Sequence, residues 1–103
     1  MNKYGLFGKF KTHKGKRDEL VSILLQAAKL VSIAKGCNHY IIYKDTKDED
    51  SVFVSEIWDT KQDHDNSLKI EGCMDLISKA MPLIDGKPEG NILEVIGGKG
   101  LDF

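Results

Sequence analysis

The side chains best suited to proton chemistry follow a short strand-like segment that ends in a tryptophan. His64 lies six residues after Trp58, on a segment that starts at Thr60 in the manner of a helix with an N-cap. Imidazole takes up and releases protons near neutral pH, so His64 is the leading candidate for a general base. Ser67 and Leu68 come three and four residues later and share its helix face. Each residue also has a structural alternative that stays open. His64 could be a partly exposed helix residue between two aspartates, and the Ser67 hydroxyl could form a hydrogen bond to the backbone of its own helix.

A second group of polar and aromatic side chains lies on a segment typical of a strand. Asn38, His39 and Tyr40 are consecutive, so they cannot all face one pocket: His39 points to one side, and Asn38 and Tyr40 to the other. Asn38 is a candidate donor to an oxyanion, and His39 a second candidate base. Tyr40 and Tyr4 could line a pocket, although aromatic side chains are more often part of a core.

Trp58 is the only tryptophan in the chain. At the end of a strand it is either a core or interface residue, or an aromatic wall against which a substrate stacks. Glu56 precedes it by two residues and shares its strand face. A carboxylate placed there needs a partner, and we favour a structural ion pair or hydrogen bond over a catalytic base.

The histidines and cysteines do not form a recognisable metal motif. His13, His39 and His64 lie on different predicted elements, and neither an HxH nor an HxxxH spacing occurs. Cys37 and Cys73 are isolated, with no CxxC, which favours a reducing compartment. We therefore expect no metal, and the lack of a GxGxxG or Walker motif gives no sign of a nucleotide cofactor.

Length and charge limit the classes of function. The chain has 103 residues, 41% hydrophobic and 30% charged, with a net charge of -1. This predicts one domain over residues 1–103, and the missing basic excess argues against nucleic-acid binding. No run of about 18 apolar residues occurs, so no membrane span is expected. The start lacks a signal-peptide pattern, which favours the cytoplasm.

The spacing of apolar residues predicts the elements. Strands are expected at 3–12, 37–44, 51–58 and 91–96, and helices at 16–34, 60–69 and 73–84, where Pro82 deforms the last turn. The order βαββαβ is that of the ferredoxin-like α+β fold, an antiparallel sheet with helices on one face. Residues 97–103 are expected to form a flexible, glycine-rich tail.

The third strand is apolar on both faces. Val52, Val54 and Trp58 lie on one face, and Phe53 and Ile57 on the other. A sheet that is apolar on both sides is buried on both sides. Its own helices can cover only one, so we predict a two-fold homodimer.

The charges are unevenly distributed. Six basic residues precede Asp18, and an acidic turn occupies 45–50. Such a charge pattern is typical of a solvated surface. The functional alternative is that Lys9 or Lys11 attracts an anionic substrate.

Several short motifs, in order, resemble the antibiotic biosynthesis monooxygenase (ABM) domains, including small quinol monooxygenases. The main match is 54–68, where a strand ends in Glu-x-Trp and a helix carries His and a Ser-Leu pair. Gly15-Lys16, Gly36-Cys37 and 80–84 match as well, so the similarity covers nearly the whole chain. The resemblance implies a dimeric α/β barrel, and for several members the oxygenation of quinols or anthrones with O2 and no metal or flavin.

On this resemblance, the leading function is a cofactor-independent monooxygenase acting on an electron-rich aromatic compound. His64 would be the base or hydrogen-bond partner and Ser67 and Asn38 the oxyanion donors, with Trp58 and Tyr40 as aromatic walls. The pocket would lie between sheet and helices.

Related members leave two alternatives. One is a binding or stress-response module, or an isomerase, acting on a small polar ligand. The other is haem binding or degradation, although Tyr4, Ser67 and Ile77 stand where the haem-degrading relatives carry an Asn and a Trp/His pair.

Overall fold

The computed structural model of the chain describes residues 2–101. The strands are β1 (Lys3–Lys11), β2 (Cys37–Lys44), β3 (Ser51–Trp58) and β4 (Glu89–Val95), and the helices are α1 (Arg17–Val31), α2 (Lys61–Ser67) and α3 (Cys73–Ala80). A short 3-10 turn at Met81–Leu83 extends α3. The predicted βαββαβ order is confirmed, with its second helical region divided in two.

The four strands form one antiparallel sheet in the order β2-β3-β1-β4. In the central pair, Tyr4 lies opposite Trp58 and Leu6 opposite Glu56. These four side chains share the face that carries the helices, as strand alternation predicts. The ferredoxin-like α+β fold is therefore confirmed.

Several predicted boundaries differ from the structure by one to four residues, and three of the differences have a clear physical reason. The first helix ends at Val31 rather than at residue 34; beyond it Ile33 is 89% exposed and has no surface on which to pack. The third helix ends as an α-helix at Ala80, because Pro82 lacks the donor needed to continue it. The last strand begins at Glu89, two residues early, because Glu89 pairs with β1.

A β-bulge at the start of β2 changes which residues share a face. Cys37 pairs with Trp58 and His39 with Ile57, so Asn38 is the extra residue. Tyr40 keeps the expected alternation and faces the helices. The expectation that Asn38 shares the face of Tyr40 is not met, since a bulge removes one residue from the alternation.

The core lies between the sheet and the helices. Leu20 of α1 and Val52 and Trp58 of β3 are fully buried. On the opposite sheet face, Phe7 and Ile41 remain 39% and 42% exposed, because within residues 2–101 all the helices pack on one side. The sheet is thus apolar on both faces, as predicted.

The basic start of the chain and the acidic turn bind each other. Lys11 donates to the carboxylate of Asp48, and the Arg17 guanidinium donates to the carbonyls of Asp45 and Asp48. Lys9 instead lies 5.8 Å from the centre of the Phe53 ring. No helix in the described part of the chain is both long and apolar enough to cross a bilayer.

Candidate functional site

A cavity of about 110 Å³ lies between the helices and the sheet. Aliphatic side chains of α1 and α3 form most of its wall, and Tyr40 and Glu56 reach it from the sheet. His64, Ser67 and Leu68 close the end beside α2. A mostly apolar pocket with few polar groups is the usual form of a small-molecule site.

Helix α2 is held in place by its first turn. The Thr60 hydroxyl accepts a hydrogen bond from the backbone N–H of Asp63 at 3.0 Å, as an N-cap does. The Asp63 side chain is buried against Gly36, whose φ of +80° is a left-handed conformation. A Cβ at Gly36 would overlap the Asp63 carboxylate. The short α2 therefore rests on a glycine at the start of β2, which fixes the position of the next residue, His64.

The imidazole of His64 lies between two carboxylates. Its Nδ1 is 3.0 Å from Asp65 Oδ1, and its Nε2 is 3.9 Å from Glu56 Oε1. The rings of Tyr4 and Trp58 flank it, each with its centroid 5.8 Å away. The side chain is only 19% exposed. His64 thus connects the cavity to the surface beside Asp65.

Glu56 is the acidic group of the cavity. Its Oε1 accepts a hydrogen bond from Trp58 Nε1 at 3.0 Å, and its side chain is 17% exposed. Burial raises the pKa of this carboxyl, while the Trp58 hydrogen bond and the proximity of His64 oppose the rise. The expected structural hydrogen bond is present, and the same carboxyl also reaches the cavity.

Three further titratable groups surround Glu56. Burial, together with the charge of Glu56, raises the pKa of the Tyr40 phenol far above its ordinary value. Burial likewise raises the pKa of the Cys37 and Cys73 thiols, with a smaller contribution from Glu56. These groups remain protonated at neutral pH, so Tyr40 is available as a hydrogen-bond donor.

A second, more open cavity of about 350 Å³ adjoins the first. Tyr40 and Glu56 lie in the walls of both. The rest of its lining comes mainly from the helix side of β1 and from residues 88–92. The sheet thus carries two neighbouring cavities that meet at these two side chains.

Six of the eight predicted site residues lie in this region. His64, Ser67, Leu68 and Tyr40 line the smaller cavity, and Tyr4 and Trp58 contact the His64 ring. Ser67 Oγ donates to the backbone carbonyl of His64 at 2.6 Å, the second of its two expected arrangements.

The other two predicted residues lie elsewhere. Asn38 donates to the carbonyl of Gly36 and to the Asp59 carboxylate, at the edge of the sheet. His39 lies on the opposite face, with its Nε2 2.8 Å from Ser55 Oγ. The bulge explains the position of Asn38, whereas ordinary strand alternation relative to Tyr40 explains that of His39.

One lining residue could not be found from the sequence. Cys73 begins α3 and lines the cavity, but an isolated cysteine gives no signal of a site. Among residues 2–101, no group of three or more His, Cys, Asp or Glu side chains is placed to hold a metal ion.

Comparison with known proteins agrees with the fold. Residues 4–75 match the family model of the antibiotic biosynthesis monooxygenases. A crystal structure from Chloroflexus aurantiacus J-10-fl, whose given name places it in that family, is 33% identical with a TM-score of 0.82, over 97% of this chain and 99% of that chain. No curated protein matches the sequence.

Two more distant structures share the fold alone. A variant of SnoaB, a cofactor-independent oxygenase from Streptomyces nogalater, is 13% identical with a TM-score of 0.82, over 98% of this chain and 100% of that chain. A protein from Caulobacter crescentus CB15, also named for the family, is 18% identical with a TM-score of 0.85, over 93% and 92% of the two chains. Since the family model spans well over half of the sequence, the chain belongs to the antibiotic biosynthesis monooxygenase family.

Proposed function

We propose that this protein is a monooxygenase that oxidises a quinol-like aromatic compound with O2 and needs no metal or flavin. The observation that carries the proposal is the position of His64, at the end of an apolar cavity, between aromatic rings and beside the Glu56 carboxyl. Membership of the family and the fold shared with a cofactor-independent oxygenase support it.

The chemistry begins with removal of a proton from a ring hydroxyl. The resulting anion is electron-rich enough to pass an electron to O2, and recombination forms a peroxide on the ring. Loss of water from the peroxide leaves a hydroxylated quinone. One oxygen atom stays on the product, and the other leaves as water with two hydrogens that the quinol supplied.

The proposed roles follow from the contacts. His64 receives the hydroxyl proton, and the Tyr40 hydroxyl donates a hydrogen bond to the negative oxygen. Trp58 and Tyr4 pack against the imidazole, and Leu68 lines the cavity beside it. Asn38, predicted as a donor, is not assigned this role, because its amide is bonded at the sheet edge.

The size of the cavity favours a single-ring substrate. An apolar cavity of about 150 Å³ holds benzene, so the 110 Å³ present here leaves room for no more than one small ring. A substituent or a second ring would have to extend past Tyr40 and Glu56 into the larger cavity.

We also propose that two copies of the chain associate through the outer sheet face. Phe7 and Phe53 stack there with centroids 5.7 Å apart, and Ile41 and Tyr43 are exposed beside them. A second copy would cover this surface. Sedimentation should give twice the chain mass, and Ile41→Glu should give the mass of one chain while leaving the fold intact. A wild-type protein of single-chain mass at micromolar concentration would contradict the dimer.

The function is tested by oxygen uptake with chelator-treated protein and a panel of single-ring quinols and anthrones. We expect uptake with quinols, and a loss of a hundredfold or more in His64→Gln, since general bases contribute about 10²–10⁴ in rate. Glu71→Gln, an exposed change in the loop before α3, is the control. No uptake by the wild type, together with a rise in melting temperature on adding sugar phosphates, would instead favour an isomerase or binding module.

A further inference from the structure

We infer that Glu56, His64 and Asp65 form a proton path between the cavity and solvent, with Glu56 as the residue that meets the substrate. This inference rests on the proposed function. It assigns Glu56 a catalytic role beyond its hydrogen bond to Trp58, and places His64 one step behind it.

Geometry is the first support. Glu56 lies in the walls of both cavities, so a ring hydroxyl placed where they meet would be beside its carboxylate. His64 Nε2 lies 3.9 Å from the same carboxylate oxygen that Trp58 binds. Catalytic hydrogen bonds are often this long in unliganded sites and tighten in the substrate complex.

The outer end of the path is the second support. Asp65 Oδ1 lies 3.0 Å from His64 Nδ1, and its side chain is 42% exposed. Lys61 bonds to the other oxygen of Asp65 at 2.7 Å and, with His64, keeps the pKa of this carboxyl below its ordinary value. An ionised Asp65 only accepts hydrogen bonds, so His64 carries its proton on Nδ1 and leaves Nε2 free to face Glu56.

The proton balance closes over one turnover. The ring hydroxyl gives its proton to Glu56, which passes it to Nε2 of His64, and the Nδ1 proton then leaves through Asp65 to water. When the peroxide breaks down, a proton returns to Nδ1 from the Asp65 side. The Nε2 proton then moves through Glu56 to the departing oxygen, and His64 recovers its starting form.

Glu56 is suited to this exchange by its surroundings. Tyr40 and Cys37 face it from β2, Cys73 from α3 and His64 from α2. The α1 residues of the cavity are aliphatic. Because burial keeps the phenol and the thiols protonated, His64, whose Nε2 lies 3.9 Å from Glu56 Oε1, is the neighbour placed to exchange a proton with Glu56.

The test compares Glu56→Gln with Glu71→Gln, the same change at an exposed site. The amide keeps an acceptor for Trp58 but cannot take a proton. In Glu56→Gln, we expect quinol-dependent oxygen uptake to fall by a hundredfold or more. The wild-type kcat should decline toward acid pH, and the residual kcat of Glu56→Gln should not show this decline. Asp65→Asn should lower kcat about tenfold with KM unchanged. If Glu56→Gln keeps both its rate and the acid decline, His64 acts on the substrate directly and the path is refuted.

A second readout separates this inference from the proposed function. Infrared spectroscopy follows the carbonyl band of a protonated carboxyl group against pH without any substrate, and the band assigned to Glu56 is the one missing in Glu56→Gln. Because His64 lowers the pKa of Glu56, His64→Gln should move the midpoint of this band to higher pH. An unchanged midpoint would contradict the coupling even if the wild type oxidises quinols. Conversely, if the midpoint shifts but the protein has no oxygenase activity, the coupling between Glu56 and His64 is supported and only the proposed oxygenation reaction is rejected.

Discussion

The contact between Gly36 and Asp63 gives a prediction about how α2, the helix that carries His64, is held in place. Gly36 has a φ of +80°, and an added Cβ would meet the Asp63 carboxyl group and also lie 2.8 Å from Asp63 Cβ. The collision therefore includes the base of the side chain, which cannot rotate away. Either α2 or the start of β2 must move in Gly36→Ala.

The magnitude follows from three contributions. A left-handed conformation costs an L-residue about 1–2 kcal/mol, partly offset by about 0.4–1 kcal/mol because alanine restricts the unfolded chain. Overpacking adds about 1–3 kcal/mol. Gly36→Ala should thus lower the free energy of unfolding by about 2–4 kcal/mol.

Gly86→Ala is the matched control. Gly86 has a φ of +81° with no atom within 4 Å of the added Cβ, so it carries the backbone cost alone, about 1 kcal/mol. Urea unfolding at constant m-value measures both variants. Asp63→Ala in the Gly36→Ala background should recover part of the loss. Equal losses in Gly36→Ala and Gly86→Ala would refute the contact as the support of α2.

Three further predictions concern α2, the Glu56 carboxyl and the acidic turn at 45–50. Thr60→Ala should cost about 1 kcal/mol in urea unfolding through loss of the α2 N-cap, whereas Thr60→Ser should be nearly neutral. Glu56→Gln should be more stable than wild type at pH 7. Because the pKa of Glu56 is higher in the folded than in the unfolded chain, the free energy of unfolding of the wild type falls as the pH rises above 4.5, the ordinary pKa of this group. Below pH 4.5 the stability difference between the variant and the wild type should vanish. Asp48→Asn should be less stable than wild type at pH 7. Since the Lys11 hydrogen bond depresses the folded pKa of Asp48, the difference should shrink as acid protonates it, and a constant difference between pH 7 and pH 2 would contradict this.

The sequence predicted the fold well because the apolar periodicity of each element agrees with its tertiary position. Val52 and Trp58 alternate toward the helices as expected, and the N-cap at Thr60 was visible from residue type. Local pattern could not reveal the bulge at Asn38, because the extra residue arises from pairing with β3 and not from any local signal.

The candidate site was predictable in part. His64, Ser67 and Leu68 share one helix face, which spacing alone determines. That Glu56 reaches both cavities depends on how the helices cover the sheet, and no short-range pattern encodes that packing.

The most direct test of the central claim is the fate of the oxygen atoms. Chelator-treated wild-type protein would be given a single-ring quinol under O2 labelled with a heavy isotope, and the product analysed by mass spectrometry. We predict one labelled oxygen atom in each hydroxylated quinone, with its formation slowed about a hundredfold or more in His64→Gln. A product without label, or one formed equally fast by His64→Gln, would contradict the account.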